Sequence, residues 1–518
     1  MDFIFIQSPT YKPYTDGEDY EERLVSGSSM QSLERGNTNG NGASKISENK
    51  TLISGKKSEG KLNGYLPQGG LFLAEELIRR GMTVSILQDV KEELYKQIDE
   101  TVTSKTIAFG ISTLSGNMLS HAIDIARYIR KNHPDKPIIW GGNHTTSVRK
   151  QTLESPLADY IVWGEGEHIL PDLLEAIQTG KGFEKIKGIG YKIGNKTHIT
   201  ARGDYNEIED RIFDLPYHIL DMNKYTRKMA IGGERWLPLI ASRGCPFKCK
   251  FCHNTSEVYS MRKMRLHTID HIVHNINKLI DDYDCDAIGF EDELTAANDK
   301  RLVAICSAIR TGVKRSITYR ITSRVDLLLR LKDETLKLMR DTGFVSVCYG
   351  IESGSQRVLD YMSKDITLKQ VHENHERISK FGFFKSFNMM NGLPSETIDE
   401  MKMTLRLCAQ LQRSSKTSPY PCPSVSTFIP YPDTGLYHEA KKRGFKEPQN
   451  LQGWTDLDNE DIVGTRKNIR PWLSEEEAKF AVLADKKVSE ISQLFIGKGA
   501  DHKKIDRALD SLERIELD

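Results

Sequence analysis

Ser242-Arg243-Gly244-Cys245-Pro246-Phe247-Lys248-Cys249-Lys250-Phe251-Cys252-His253-Asn254 sets three cysteines in C-x3-C-x2-C spacing, directly after the strand-like run Trp236 to Ala241. Thiolate sulfur is the ligand of iron–sulfur clusters, and three thiolates this close suit three corners of a [4Fe–4S] cube. Full ligation takes four cysteines, so this loop leaves one iron open. An open iron binds a further molecule, which turns an electron carrier into a catalyst. A structural zinc site asks instead for four closed ligands. His253 directly follows Cys252, and adjacent side chains rarely reach the same face of one ion, so the cluster is the better reading.

Bulk properties narrow the rest. Lys+Arg 73 against Asp+Glu 72 gives a net charge of +1, so no global field points to nucleic acid or to an anionic membrane. Apolar runs are too short to span a bilayer. The start, Met1-Asp2-Phe3-Ile4-Phe5-Ile6, lacks the basic-then-apolar layout of a secretion signal. Eight cysteines in 518 residues without such a signal indicate a reducing, cytoplasmic setting. The five outside the loop (Cys285, Cys306, Cys348, Cys408, Cys422) read as small buried side chains.

The chain divides into four stretches. Residues 1–186 alternate short apolar strands (Asp2–Gln7, Thr83–Leu87, Thr106–Ser112, Pro137–Gly141, Tyr160–Trp163) with amphipathic helices, the pattern of a doubly wound, Rossmann-like parallel sheet. Within it, 15–61 is crowded with Ser, Gly, Asn, Lys and Glu, a composition that buries too little apolar surface to order itself, and it reads as a flexible insert. Residues 187–234 form a connector with hairpin-like pieces. From 235 to 441 six strands follow, Trp236–Ala241, Ala287–Glu291, Thr318–Thr322, Ser346–Ile351, Lys385–Met390 and Ser424–Ile429, each separated by helical stretches. Six β/α units imply a parallel partial barrel of the TIM type, with chemistry at the strand carboxyl ends. The region 442–518 is mainly helical and is expected to shape a substrate pocket.

Polar and glycine-rich strings fall at those strand ends. They are Glu291-Asp292-Glu293, Ser323-Arg324-Val325-Asp326, Tyr349-Gly350-Ile351-Glu352-Ser353-Gly354-Ser355, Met390-Asn391-Gly392-Leu393-Pro394-Ser395-Glu396-Thr397 and Ile429-Pro430-Tyr431-Pro432-Asp433-Thr434-Gly435. A guanidinium at Arg324 suits two-pronged pairing with a carboxylate, and glycines let backbone approach a ligand. With the cysteine loop and its aromatic Phe251, this series resembles the radical S-adenosylmethionine (SAM) superfamily over about 200 residues, as the length of a six-unit partial barrel requires. The resemblance implies a cluster on Cys245, Cys249 and Cys252, and SAM contacts at Glu291, Asp292, Glu293, Arg324, Glu352, Ser353 and Gly392. Asp433 departs from the family's turn, which has glycine there.

Upstream, Leu66-Pro67-Gln68-Gly69-Gly70, Phe109-Gly110-Ile111-Ser112-Thr113, Trp140-Gly141-Gly142-Asn143-His144 and Gly164-Glu165-Gly166-Glu167 together resemble the cobalamin-binding domain of B12-dependent radical SAM enzymes. That likeness implies cobalamin contacts at Ser112, Thr113, Gly141, Gly142, Gly164, Glu165 and Gly166, where small residues make room and backbone N–H groups meet phosphate. No Asp-x-His-x-x-Gly string supplies an axial histidine, and His144 reads as structural or as a polar contact. The implied function is a methyltransferase acting on an unactivated carbon of a small molecule. One SAM methylates cob(I)alamin, and a second yields the 5′-deoxyadenosyl radical that removes a substrate hydrogen. Methylcobalamin then delivers the methyl group, with a reductant such as flavodoxin or ferredoxin as partner. A ring contraction, cyclisation or oxidative rearrangement would use the same cofactors without methyl transfer. A non-catalytic corrinoid or iron–sulfur binding module is the alternative of another class.

Overall fold

The computed structural model describes residues 1–8, 65–205, 208, 210–229, 232–256, 263–296, 298–414, 422–457, 469–496 and 502–514. The 15–61 stretch expected to be a flexible insert lies outside the described residues.

The first sheet has seven strands, β1 (Phe3–Gln7), β2 (Val84–Leu87), β3 (Ala108–Ser112), β4 (Ile138–Gly141), β5 (Tyr160–Val162), β6 (Ile189–Ile193) and β7 (Lys196–Ile199), in the order β2-β1-β3-β4-β5-β6-β7. β1 to β5 are parallel. Alternation of side chains along β1 explains the two layers of helices. Phe3 and Phe5 enter one core with Leu71, Phe72 and Leu77 of the helix Gln68–Arg79 and Leu173 of the helix Ile169–Thr179. Ile4 and Ile6 enter another with Leu94 and Ile98 of the helix Lys91–Thr101 and Leu119 and Ile123 of the helix Asn117–Asn132. A strand buried on both faces is what a doubly wound sheet requires. The chain crosses from one side of β1 to the other between β2 and β3, so the topological switch lies at the carboxyl ends of β1 and β3, beside Ser112 and Thr113. β6 and β7 add as an antiparallel hairpin on β5, so this sheet continues past residue 186 into the stretch expected to be connector.

The second sheet runs β16-β15-β14-β13-β12-β9-β8. Its strands are β8 (Arg227–Met229), β9 (Gly233–Leu239), β12 (Ala287–Phe290), β13 (Thr318–Arg324), β14 (Phe344–Glu352), β15 (Phe384–Asn391) and β16 (Cys422–Thr427), while β10 (Ser242–Arg243) and β11 (Arg265–Leu266) form a separate antiparallel pair. Six strands from β9 to β16 are parallel and in chain order, which is the partial barrel expected, and β8 pairs antiparallel at its edge. Local chemistry starts the intervening helices. Thr367 and Gln370 form a reciprocal capping box at Leu368–Lys380, and Thr268 accepts from His271 N at Ile269–Tyr283. Asp433 takes a left-handed backbone, φ 67°, as a glycine would, and Thr434 caps the helix Gly435–Lys442 directly after it. The turn therefore survives the loss of glycine.

The C-terminal region fastens both sheets. Trp454 is wholly buried in the β3–β4 side core of the first sheet, and the helix Glu475–Ile496 receives a hydrogen bond from Asn391 Nδ2 to Ala481 O at 3.1 Å, beside the end of β15.

Gly142 shows how tightly the switch-point turns are built. It has φ +85°, and an added Cβ would lie 2.7 Å from Thr113 O and 2.8 Å from Ser112 Oγ. Gly141 is extended at φ −144°, and its nearest neighbour would be Val162 O at 3.7 Å. Gly142→Ala is expected to destabilise the protein by at least about 1–2 kcal/mol from left-handed strain alone, before the collision is counted. Gly141→Ala should be close to neutral. Denaturant unfolding of both variants checks the contrast.

Candidate functional site

β9 ends at Leu239, and the cysteine loop leaves through Ser242 and Arg243. The strand end is held by Asp292, whose Oδ1 accepts from Ala241 N at 2.6 Å and Ser242 N at 3.1 Å. Burial pushes this carboxyl up to about 7, against the pull of those two backbone donors. The three consecutive acids therefore separate. Asp292 turns inward to the backbone, while Glu291 and Glu293 face a cavity and Glu293 accepts from Gly244 N at 3.2 Å.

The cysteine loop is tied down between and beyond its sulfurs. Lys250 N donates to Met362 O at 2.9 Å, Leu436 N donates to Lys250 O at 2.8 Å, and Cys252 N donates to Cys249 O at 3.0 Å. Burial raises the Cys245 thiol, and raises Cys252 to about 12. Thiolates in such surroundings need a cation beside them, which is what a metal cluster supplies. Among the described residues no three His, Cys, Asp or Glu side chains converge as ligands of a single ion. A cubane held at three separate corners asks for a wider arrangement, and the donor set fits it. His253, the fourth ligand in the zinc alternative, is half-buried with its ring 4.8 Å from that of Tyr431, and desolvation lowers it to about 4.

Arg324 arrives from the end of β13. Its Nη1 lies 3.3 Å from Cys249 Sγ, its Nε donates to Asp326 at 2.9 Å, its Nη2 donates to Lys364 O, and its plane covers the Phe247 ring at 3.6 Å. The structure thus spends its fork on the cysteine loop and the adjoining turn. Glu352, at the end of β14, holds a left-handed backbone, φ 80°, and its carboxylate pairs with buried Lys364 at 2.6 Å. A non-glycine residue in that conformation is a strained feature of the kind that collects at functional sites. Ser353 Oγ is buried, 3.3 Å from Thr404 Oγ1, and accepts from Ser355 N at 3.1 Å. Gly392 O accepts from Trp472 Nε1 at 3.0 Å.

A cavity of about 470 Å3 lies where the carboxyl ends of the two sheets face each other. Asn143, Gly164, Glu165 and Glu167 line it from the first sheet, and Ile240, Ser242, Glu291 and Glu293 line it from the barrel. Among the expected cobalamin contacts, Gly164 and Glu165 reach this cavity. Ser112, Thr113, Gly141 and Gly142 form the adjacent turn, where Gly142 packs on Ser112 and Thr113. Gly166 packs against Leu73 and Val162. His144 is buried beside Trp454 with Nδ1 2.8 Å from Ser115 Oγ, and burial lowers it to about 3. Its neighbour Asn143 faces the cavity instead.

Sequence reasoning missed the contact that closes the cavity. Arg243 Nη1 is 2.6 Å from Glu167 and 3.8 Å from Glu165, and Arg265 grips both oxygens of Glu165. Arg243 also lies 4.4 Å over the Phe72 ring. Burial opposes its charge, yet Glu167 and Glu165 hold its pKa above the ordinary value. The partners are 76 and 100 residues apart in sequence, so no local pattern announces them.

Comparison with known proteins agrees with this arrangement. The Radical SAM superfamily model matches residues 239–408, and the B12 binding domain model matches residues 60–174. The chain is a B12-binding radical SAM enzyme. Its cofactors are accordingly a [4Fe–4S] cluster, SAM and cobalamin. An uncharacterised methyltransferase of Pyrococcus horikoshii is 26% identical over 395 residues, 76% of this chain and 82% of that protein. The anaerobic magnesium-protoporphyrin IX monomethyl ester cyclase of Cereibacter sphaeroides is 28% identical over 313 residues, 60% of this chain but 49% of that protein. The structure of OxsB, a cobalamin-dependent SAM radical enzyme with aqua-cobalamin and SAM bound, shares the fold with a TM-score of 0.59 at 15% identity, covering 88% of this chain and 74% of that one. Among the described residues no helix is long and apolar enough to cross a membrane.

Two outcomes follow for this B12-binding radical SAM enzyme. Glu167→Ala takes from the largely buried Arg243 its shortest partner while Glu165 remains at 3.8 Å, and is expected to cost about 1.5–3 kcal/mol, readable by thermal or denaturant unfolding. Glu396 lies in the turn after β15, with Oε2 accepting from Leu393 N at 3.1 Å, and burial raises its pKa from 4.5 to about 8. Folding therefore takes up a proton between those values, and stability falls as pH rises through the window. Glu396→Gln cannot titrate, so its stability relative to the parent should improve steadily from pH 5 to pH 8. A difference that is flat with pH would contradict the assignment.

Proposed function

We propose that this chain moves a methyl group from SAM, by way of cobalamin, to an unactivated carbon of a small molecule. The observation that carries this reading is the Pyrococcus horikoshii methyltransferase, which aligns over most of both chains. When bound, the cluster and SAM supply a carbon-centred radical and cobalamin supplies a transferable methyl group.

In this proposal Cys245, Cys249 and Cys252 hold the cluster, and Arg324 steadies its loop through Cys249 and Phe247. Glu291 and Glu293 offer carboxylates to the SAM ammonium, with Glu352, Ser353 and Gly392 shaping the remaining rim. Asp292 acts by fixing the strand end. Ser112, Thr113, Gly141, Gly142, Gly164, Glu165 and Gly166 form the corrinoid's bed at the switch point. The first unit, 1–186 with its hairpin to 199, carries cobalamin. The barrel, 235–441, carries cluster and SAM, and 442–518 shapes the pocket. We place the enzyme in the cytoplasm, where reduced flavodoxin or ferredoxin supplies the electron.

The test is incubation of the reconstituted enzyme with SAM labelled in its methyl group, a reductant and low-molecular-mass metabolites as the substrate source. Label in a new product together with 5′-deoxyadenosine is the expected result. An unlabelled product would favour a cyclisation or rearrangement, the reading to which the Cereibacter sphaeroides cyclase lends support. No 5′-deoxyadenosine from the parent enzyme would leave only a binding module. Alanine at Cys245, Cys249 or Cys252 should abolish SAM cleavage, and the cobalamin absorption spectrum of each variant should show that corrinoid binding persists.

A further inference from the structure

The inner face of the barrel carries a second polar site, set deeper than the strand-end groups. Strand register defines it. Gly289, Arg320 and Ser346 are neighbours across β12, β13 and β14. One layer nearer the rim are Thr322, Cys348 and Ser386, and beyond them Arg324, Gly350, Asn388 and Ser424. The alternate residues Leu237, Ile288, Ile321, Val347, Phe387 and Val425 belong to the apolar core. Tyr349, also on that side, reaches His375 of the helix Leu368–Lys380 at 3.1 Å. The apolar set therefore faces the helices, and the polar set faces the lumen.

Four buried polar atoms on this lumen face have no partner among the described residues: Arg320 Nε, Trp236 Nε1, Ser346 Oγ and Ser386 Oγ. Their residues are 8%, 6%, 1% and 9% exposed. The Trp236 ring lies over Gly289, close enough that a Cβ there would be 2.4 Å from it, so the indole N–H sits beside the register neighbour of Arg320. Arg320 has two neighbours of its own, Cys348 in the next layer, which bonds to the guanidinium, and Glu291 at 3.8 Å, partly exposed at the rim, and its Nε remains without a partner among the described residues. A guanidinium N–H and an indole N–H act as donors only, and both hydroxyls have a proton to donate. Such a set is completed by acceptor oxygens bearing negative charge. Arg320 lies four residues before Arg324 in β13, roughly 13 Å back along the strand, so it sits below the strand-end layer and touches that layer through Glu291 at 3.8 Å.

We propose that this lumen site binds an anionic oxygen group of the substrate, a carboxylate or a phosphate, with Arg320 as its charge partner, its register neighbour Ser346 as a further donor, and Trp236 beside them. The inference rests on the radical SAM reading of the barrel and names the substrate class that reading leaves open. The substrate is then a polar, anionic small molecule that enters with its charged end toward the barrel floor and its reacting carbon toward the rim.

Calorimetric titration of the cluster- and cobalamin-loaded enzyme with inorganic phosphate, with propionate and with neutral propionamide tests it. At least one anion should bind, and propionamide should bind at least about tenfold more weakly, as a charge-assisted contact requires. The stronger of phosphate and propionate identifies the group. Arg320→Gln should abolish anion binding. Arg320→Lys, which keeps the charge but loses the fork, should weaken binding about tenfold and serves if the glutamine variant fails to fold. Equal binding of propionamide, unchanged anion affinity in Arg320→Lys, or no anion binding to the parent would overturn the proposal. Formation of 5′-deoxyadenosine by the parent is scored separately, and its absence would count against the radical SAM reading instead.

Discussion

The contact on which the site depends is a buried exchange of charge between two sheets. Arg243 and Arg265, on the β10–β11 pair flanking the cysteine loop, meet Glu167 and Glu165, in the glycine turn after β5. Parallel sheets bind ligands at their carboxyl edges, and a protein that must bring two bound cofactors together has to set those edges against each other. Loops alone would leave that approach loose. A pair of buried arginine–carboxylate contacts is directional, because the guanidinium fork meets the carboxylate in a fixed plane. Neither side tolerates the removal of the other, since a buried charge without its partner is costly. The clamp thus sets the spacing of the cavity and links the cysteine loop to the glycine turn after β5 through three consecutive residues, Arg243, Gly244 and Cys245.

The same logic runs one layer further back. Asp292 is an expensive residue to bury, and its raised pKa records that expense. Its two backbone donors hold residues 241 and 242, the point where chain direction changes from barrel strand to cysteine loop. Behind the clamp, Phe72 stacks on His267, which stacks on His271 at 4.2 Å between ring centres. Burial lowers both histidines, so the wall behind Arg243 is neutral and does not compete for its carboxylates. Positioning here comes from a few buried polar groups aimed at backbone and at each other, set within a broad apolar core.

Much of this was legible in the sequence. The alternation of apolar strands with helices located every parallel strand to within a few residues, because a strand buried on both faces leaves an unmistakable apolar run. The cysteine spacing pointed to an open-iron cluster because ligation demands thiolates at particular places, and the strand-end strings pointed to SAM through their resemblance to the radical SAM superfamily. What was not legible came from parity and from distance. Three consecutive acids look alike in a string, but at a strand exit the middle one faces the opposite side from its neighbours, which is how Asp292 parts from Glu291 and Glu293. The hairpin β6–β7 looked like a connector because nothing local states which edge it joins. The clamp joins residues 76 and 100 positions apart, and no periodicity spans such a gap.

Parity also exposes what the barrel floor is for. In a closed eight-stranded barrel the interior is filled by layers of bulky branched side chains and works as a packed core. Here the corresponding positions include, beside Trp236 and Phe384, the polar or small residues Arg320, Thr322, Ser346, Cys348, Ser386, Asn388 and Ser424, set in register across neighbouring strands. Hydrophobic burial gains nothing from such residues, and each buried polar atom without a partner carries a desolvation cost of about 1–3 kcal/mol. A sheet that keeps them must recover that cost elsewhere. The outer face does so for folding, through an apolar core shared with the helices. On the inner face Ser424 Oγ donates to Asn388 Oδ1 at 2.9 Å, while Arg320 Nε, Ser346 Oγ and Ser386 Oγ have no partner among the described residues and recover the cost when something polar occupies it. Arg320 therefore distinguishes this barrel from a structural one more sharply than the strand-end motifs do: those declare which cofactors the fold accepts, and the floor declares what kind of molecule they act upon.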